Sequence, residues 1–202
     1  MNTDRIAAFY DYLAGLIFGK HLHDAAEYFI NRIPKDARIL IIGGGTGRIL
    51  RQLDKPGNQM VVDYVELSKA MIEAGRKNHK GQLKVNFIQA DVFLWEPQHH
   101  YDVIITPFVL DCFTSAKVTE LVTSLTNVLQ PDGTWIFADF IHTNSYLKKA
   151  LVRLMYLFFR ITTGLRTSAL PDYRMAFEKA GLKLHEEKMF YHGMVAARMY
   201  QF

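Results

Sequence analysis

The sequence predicts an α/β fold: a doubly wound, three-layer sandwich around a seven-stranded, mostly parallel sheet that ends in an antiparallel hairpin. Short apolar runs alternate five times with helical patterns of apolar residues, as in the βα units that build a parallel sheet. Directly after the first apolar run, residues 43–47 form a glycine-dense turn. Folds of this class bring their backbone close to a nucleotide at such a turn.

The elements follow in order along the chain. Apolar residues at helical spacing predict helices at residues 6–16 and 22–33, and Pro34 ends the second. Strands are predicted at residues 39–42, 60–65, 85–89, 103–106 and 134–140, with helices at 48–53, after Ser68 and at 118–129, and a turn at 131–133. A helix at 172–180, ended by Gly181, precedes a hairpin of strands 182–190 and 194–202 around His192 and Gly193.

No internal repeat or linker interrupts this pattern, so we expect a single domain, residues 1–202. We divide it into N-terminal helices (1–36), a nucleotide-binding core (37–140), a basic amphipathic insertion (141–170) and a terminal helix with hairpin (171–202).

Composition narrows the class of protein. The single cysteine, Cys112, excludes a disulfide within the chain and is typical of a reducing compartment. No secretory signal is evident, and no stretch reaches the ~18 uncharged apolar residues that span a bilayer. We therefore expect a cytoplasmic protein. Residues 141–171 carry five Lys or Arg and no Asp or Glu, which favours a local partner over a surface that coats nucleic acid.

The glycine turn excludes two nucleotide classes. A triphosphate-binding loop needs a lysine after its last glycine, whereas Gly47 is followed by Arg48. The dinucleotide pattern needs a third glycine at position 48, where Arg48 stands.

Carboxylates follow the next two strands, where an adenosine ligand meets the sheet. Glu66 ends the second predicted strand and can accept both ribose hydroxyls. Asp91 follows the third and can accept from the adenine amino group.

These residues carry a resemblance to class I S-adenosylmethionine-dependent methyltransferases of the small-molecule type, which have a Rossmann-like fold. The segment ILIIGGGTG resembles the glycine motif, VELSKAMIEAGR the ribose motif, QADV the adenine motif, and LQPDGTWIFADF the following turn and strand. The resemblance implies S-adenosylmethionine as cofactor, bound by Gly43, Gly44, Gly45, Gly47, Glu66, Leu67, Asp91, Val92, Thr106 and Pro107. One departure is Ile41, where the family usually has an acidic residue.

The sequence gives less information about the molecule that accepts the methyl group. Members that methylate exocyclic nitrogens often show Asn/Asp-Pro-Pro-Tyr/Phe after strand four, but here residues 106–109 read TPFV, and Cys112 lacks the Pro-Cys context of cytosine C5 methylation. Nucleic acid is therefore not the expected substrate. Candidate acceptor-binding residues are Tyr10, Tyr12, Phe108 and Asp111, although the two tyrosines fit core packing equally well.

His142, after the fifth strand, is the first candidate for a general base, with Asp111 and Asp139 as alternatives. No histidine shows a metal-ligand pattern, and we expect no metal.

Residues 145–166 predict an amphipathic helix with a basic, aromatic-rich side. Such a helix suits an anionic membrane surface or a cap over a hydrophobic acceptor, and an ordinary cap helix is the competing interpretation. Two functions remain: methyl transfer to a small lipid-, quinone- or phenol-like acceptor, or a non-catalytic member that acts as a nucleoside-, membrane- or partner-binding adaptor. Oligomeric state is not predicted.

Overall fold

A computed structural model describes residues 19–143 and 169–202. The helix predicted at residues 6–16, with Tyr10 and Tyr12, and the basic segment 145–166 lie outside the described residues. Among those described, no helix has both the length and the hydropathy to cross a membrane.

The described chain alternates strands and helices as predicted. The helices are α1 (His21–Glu27), α2 (Leu50–Leu53), α3 (Lys69–Asn78), α4 (Ser115–Thr126) and α5 (Tyr173–Lys179), and the strands are β1 (Arg38–Ile42), β2 (Val61–Glu66), β3 (Lys84–Gln89), β4 (Tyr101–Pro107), β5 (Leu129–Phe140), β6 (Lys183–Phe190) and β7 (Val195–Gln201). Three short 3₁₀ turns cover Ile30–Arg32, Leu110–Cys112 and Tyr191–Gly193.

Seven strands form one sheet in the order β3-β2-β1-β4-β5-β7-β6. The first five are mutually parallel, and β7 pairs antiparallel with both β5 and β6. The predicted fold class, with its mostly parallel sheet and antiparallel terminal hairpin, is confirmed.

The core lies on both faces of the sheet because β1 is buried on both sides. Ile39 and Ile41 belong to a cluster with Leu50 and Leu53 of α2. The alternate residues, such as Leu40, point to the opposite face, where α4 and α5 pack. An all-apolar strand is the pattern expected for a parallel sheet covered by helices on both faces.

Side-chain caps start three of the described helices, one of them at the predicted cap residue, Ser68. Ser68 Oγ accepts from the Met71 N–H at 3.4 Å, Thr114 Oγ1 from Lys117 at 3.4 Å, and Asp172 Oδ1 from Met175 at 3.1 Å. Each bond satisfies a donor that a helix start leaves without an intrahelical acceptor.

Three boundary predictions are wrong. The helix predicted at residues 118–129 spans Ser115–Thr126, and Leu129 is the first residue of β5. The helix predicted at residues 22–33 ends at Glu27 and continues as a 3₁₀ turn, Ile30–Arg32, so that α1 is shorter than its apolar pattern. The turn predicted at residues 131–133 lies inside β5, which begins at Leu129. Tyr101 pairs with Leu129 but Val103 pairs with Thr134, so the Pro-Asp-Gly residues form a bulge within the strand.

Gly47 provides a test of how tightly the sheet and helices pack. It has a φ of +77°, and a Cβ there would lie 2.8 Å from the Gly75 Cα in α3. We expect Gly47→Ala to lower the free energy of unfolding by about 2–4 kcal/mol, because backbone strain adds to overpacking. Urea denaturation followed by circular dichroism measures the change.

Gly57→Ala is the matched control for that measurement. Gly57 also has a positive φ, +86°, but a Cβ there meets nothing within 4 Å. Its cost should be near 1 kcal/mol, the conformational part alone. Equal losses in the two variants would contradict a packing role for Gly47.

Candidate cofactor and acceptor site

The site lies where the strand order of the sheet reverses, between β1 and β4. In open α/β sheets, ligands bind in the crevice outside the carboxyl ends of the strands at this switch point. Gly43 follows β1, and a Cβ there would lie 2.5 Å from a Val109 methyl carbon in the loop after β4. The two loops that border the crevice are therefore in direct contact.

Packing explains why most positions of the glycine turn carry no side chain. A Cβ on Gly44 would lie 2.5 Å from the Tyr64 ring. Gly43, Gly45 and Gly47 have φ values of +69°, +63° and +77°, a region that glycine enters freely. At Gly45, in contrast, a Cβ would meet nothing within 4 Å, so the loop leaves open space at this position.

Glu66, the last residue of β2, fastens the glycine turn to the start of α3. Its Oε2 accepts from the Gly45 N–H at 3.2 Å and its Oε1 from the Ser68 N–H at 3.0 Å. Both bonds are to backbone groups, so the carboxylate has a fixed orientation while its side chain stays half-exposed. An anion with this support can accept further hydrogen bonds from a ligand.

Tyr64 of β2 also contacts the glycine turn. It is fully buried, and its hydroxyl donates to the Gly45 carbonyl oxygen at 2.8 Å. Burial, together with the charge of Glu66, raises the pKa of Tyr64 well above its ordinary value, so the hydroxyl keeps the proton that it donates. Sequence reasoning missed this residue, although a tyrosine in the middle of a predicted buried strand is a signal for a buried hydroxyl with a partner.

The residues after β2 and β3 lie at the same carboxyl edge of the sheet, because these strands are parallel neighbours. The Ala90 N–H donates to the Glu66 carbonyl oxygen at 3.2 Å. Asp91 is exposed, and its Oδ1 accepts from the Phe93 N–H at 3.0 Å. Leu67 is 67% exposed, and Val92 is half-buried against the second core cluster.

Residues 106–108 at the end of β4 divide between core and crevice. Thr106 is fully buried, and its Oγ1 accepts from the Trp135 indole N–H at 3.0 Å, so its side chain is directed into the core rather than toward a ligand. Pro107 ends the strand half-buried. Phe108 has a φ of +53° and packs edge-on against Phe140 at 5.6 Å between ring centroids.

Two acidic residues lie beyond β4. Asp139, near the end of β5, is fully buried; its Oδ2 accepts from the N–H groups of Leu110 and Asp111, each at 3.1 Å, and its Oδ1 from the Phe140 N–H at 2.8 Å. Burial raises the pKa of Asp111 to about 6. Burial and the neighbouring Asp111 charge raise the pKa of Asp139 well above its ordinary value, against its three N–H donors.

The remaining candidates have fewer observed contacts. His142 is exposed, two residues beyond β5. Within residues 19–143 and 169–202, no group of three or more His, Cys, Asp or Glu side chains is placed to hold a metal ion. Ile41 is fully buried in the first core cluster, so at this position the chain has a core residue rather than the family's acid.

Comparison with known proteins agrees with this geometry. A family model described as a methyltransferase domain matches residues 39–133. The chain is 37% identical over 106 residues to a malonyl-[acyl-carrier protein] O-methyltransferase of Halalkalibacterium halodurans. The aligned region covers 50% of this chain and 38% of that protein. It is 24% identical over 165 residues to a carboxy-S-adenosyl-L-methionine synthase of Campylobacter concisus, covering 81% and 70%.

The first of these relatives is much longer than this chain. The chain spans 38% of the Halalkalibacterium protein, and likewise 38% of a similar O-methyltransferase of Ilyobacter polytropus.

Solved structures share the fold at low sequence identity. An O-methyltransferase family 2 protein of Planctomyces limnophilus, in complex with apigenin, has a TM-score of 0.71 at 15% identity over 97% of this chain and 61% of that chain. CalO1, a methyltransferase in calicheamicin biosynthesis with S-adenosylhomocysteine bound, has a TM-score of 0.66 at 16% identity over 99% and 58%.

The family model matches residues 39–133 to a methyltransferase domain, and the order of motifs and the sheet with its reversed terminal strand are similar to those of S-adenosylmethionine-dependent methyltransferases of known structure.

Proposed function

We propose that this chain binds S-adenosylmethionine in the crevice between β1 and β4 and transfers its methyl group to a small hydrophobic acceptor. The observation that carries the proposal is the fixed carboxylate of Glu66. An ionised carboxylate has roughly four acceptor positions, and backbone N–H groups occupy one on each oxygen. The remaining positions suit the two vicinal hydroxyls of a ribose.

The other crevice residues fit the nucleoside in the same way. The open space at Gly45 lets a ligand approach the backbone closely. Leu67 presents an exposed apolar side chain beside Glu66, which suits the face of an adenine ring. Asp91 keeps one carboxylate oxygen without a described hydrogen bond, and that oxygen can accept from an exocyclic amino group. In this assignment Gly43, Gly44, Gly47, Val92, Thr106 and Pro107 contribute backbone or packing.

The mechanism asks little covalent chemistry of the protein. The bound cofactor supplies an electrophilic methyl group on a sulfonium. The chain contributes by holding the acceptor in line with that group and excluding water, which raises the effective concentration of the reactants. The loop after β4, with Phe108 and Asp111, borders the crevice on the side where an acceptor would approach.

An oxygen acceptor with apolar surroundings fits these groups best. Leu22 and Ala25 of α1 join Phe140 and Met194 in an apolar cluster against which Phe108 packs. Relatives and fold neighbours include O-methyltransferases, one of them in complex with apigenin, a phenol. A phenol or carboxylic acid that reacts in its neutral form must lose a proton, and His142 and Asp111 are the candidate bases.

The first prediction concerns the cofactor site. We expect Glu66→Ala to weaken S-adenosylmethionine binding at least about tenfold, because it removes the hydroxyl acceptor and releases the glycine turn. Isothermal titration calorimetry measures the change, and circular dichroism verifies folding. Glu73→Ala, which removes an exposed carboxylate paired with Lys69 in α3, is the matched control and should bind normally. Unchanged binding by Glu66→Ala would refute this site.

The second prediction concerns catalysis. Incubation of the full chain with S-adenosylmethionine and a panel of phenols, quinones and fatty acids should yield S-adenosylhomocysteine together with one methylated product. On that acceptor, His142→Ala should lower kcat about 10²-fold or more if His142 is the base. Unchanged turnover would assign the proton to Asp111 or to a pre-ionised acceptor. Nucleoside binding without transfer to any acceptor would favour the non-catalytic adaptor.

The third prediction concerns membrane contact by the basic segment 145–166. We expect the full chain to float with anionic vesicles at low salt and not with zwitterionic ones, because the attraction is electrostatic. Replacing Arg153 and Arg160 with Gln should reduce flotation. Flotation that does not depend on lipid charge, or no flotation at all, would remove the membrane from this proposal.

A further inference from the structure

We propose that Tyr64 is a positioning residue of the cofactor site: its hydroxyl holds the glycine turn in the conformation that receives the nucleoside. The inference rests on the proposed function and deepens it, because it identifies what keeps the turn in place while Glu66 serves the ligand. Tyr64 lies just before the ribose motif, which begins at Val65, and so outside the four motifs of the cofactor-binding core.

The first argument is that β2 holds both backbone groups of Gly45. The Gly45 N–H donates to Glu66 Oε2 at 3.2 Å, and the Gly45 carbonyl oxygen accepts from the Tyr64 hydroxyl at 2.8 Å. Tyr64 and Glu66 are two residues apart in the strand, so their side chains leave it on the same face. Because the two bonds fix the peptide units before and after Gly45, they hold its left-handed φ of +63°.

The second argument is that the Tyr64 ring is itself fixed by the sheet. The side chain is fully buried in the first core cluster, and the Phe87 ring of β3 packs against it at 5.2 Å between ring centroids. The glycine turn lies directly on this ring, since a Cβ on Gly44 would lie 2.5 Å from the hydroxyl oxygen. Loss of the bond to Gly45 would leave a buried hydroxyl without this acceptor, which is costly.

The third argument is that the strands beside the switch point have other tasks. β1, which leads into the turn, is apolar at residues 39–42 and has no side chain there that can form a hydrogen bond. At the end of β4, the Thr106 hydroxyl accepts from the Trp135 indole. Outside the sheet, the half-buried Asn78 of α3 donates to the Thr46 carbonyl oxygen at 3.0 Å. Tyr64 is therefore the buried support of the turn.

This support allows two tasks to be separated. In the proposed function, Glu66 receives the ribose hydroxyls on the acceptor positions that the backbone leaves open. Tyr64 is fully buried, so it acts on the turn without reaching the ligand. Burial also raises its pKa well above the ordinary value, so the hydroxyl remains a donor. The turn is thus ordered on folding rather than on binding, and an ordered turn favours affinity.

The variant Tyr64→Phe tests the proposal because it keeps the ring and removes only the hydroxyl. We expect the dissociation constants of the full chain for S-adenosylmethionine and for S-adenosylhomocysteine each to rise about five- to tenfold, the effect of one lost hydrogen bond on an equilibrium. Isothermal titration calorimetry measures both constants. Urea denaturation followed by circular dichroism measures the stability of the same samples.

Tyr101→Phe is the matched control. Tyr101 is also a fully buried tyrosine of the sheet, and its hydroxyl donates to the Asp63 carboxylate at 2.7 Å. Tyr101 belongs to the second core cluster, on the opposite face of the sheet from Tyr64. Its loss weakens the support of a buried carboxylate, so we expect the urea midpoint to fall at least as far as in Tyr64→Phe. Both nucleosides should nevertheless bind to Tyr101→Phe as they do to the wild type.

The outcomes separate this inference from the proposed function. Unchanged nucleoside binding by Tyr64→Phe, or equal losses of affinity in the two variants, would overturn the role of Tyr64 and leave the cofactor site intact. If the wild-type chain binds neither nucleoside, the proposed function fails and the inference fails with it.

Hydrogen exchange of the wild-type chain decides the question if Tyr64→Phe does not fold. A turn that is held in advance keeps the Gly45 N–H protected from exchange without a nucleoside. Protection that develops only after a nucleoside is added would overturn the inference.

Discussion

The crevice depends on one packing constraint: the loop after β1 must approach its neighbours more closely than any side chain permits. Gly43 lies against Val109, Gly44 against the Tyr64 ring and Gly47 against the Gly75 backbone. The contact of Gly43 with Val109 brings the loops after β1 and β4 together, and the other two hold the turn against β2 and α3. The positive φ values of Gly43, Gly45 and Gly47 are a separate requirement for glycine, since they would strain other residues.

Two carboxylates, those of Glu66 and Asp139, hold the loops beside the crevice by hydrogen bonds to backbone N–H groups. On the β2 side Glu66 accepts backbone N–H groups from the glycine turn and the start of α3, and on the β5 side Asp139 accepts two backbone N–H groups from the loop after β4. Each carboxylate links its strand to a loop distant in sequence, and burial still raises the pKa of Asp139 despite its hydrogen bonds. The two flanks of the crevice are thus built on a common plan, with an acidic side chain from one strand holding the backbone of a neighbouring loop.

Much of this could be predicted from the sequence because the controlling signals are local. Apolar runs, glycine spacing and cap residues indicated the strands, the first crossover turn and Glu66, and the terminal hairpin followed from its own pattern. The longer-range partners could not be read in this way. Asp139 lies in an apolar strand, β5. The N–H groups that donate to its carboxylate belong to Leu110 and Asp111, in the loop after β4. The sequence places Thr106 at the carboxyl end of β4, beside the crevice. Its hydroxyl oxygen instead accepts a hydrogen bond from the indole N–H of Trp135, 29 residues away.

Boundaries were missed where tertiary pairing overrides local chemistry. The Pro-Asp-Gly residues at 131–133 have the composition of a turn, but Leu129 pairs with Tyr101 before them and Thr134 pairs with Val103 after them. The apolar pattern of residues 22–33 extends beyond Glu27 because Phe29 and Ile30 are buried in the core, although they are not in the α-helix.

The bulge in β5 has a mechanical consequence for the rest of the sheet. Residues 130–133 lie opposite Asp102, and pairing resumes in register from Thr134 to Ala138. The extra residues between α4 and the paired part of β5 therefore lie in the bulge, before the strand reaches the crevice. Changes in length at the bulge would leave Ala138, Asp139 and Phe140 at the same height along their neighbours. The strand therefore has two parts: residues 129–133, where the length can change, and residues 134–140, whose pairing such a change does not shift.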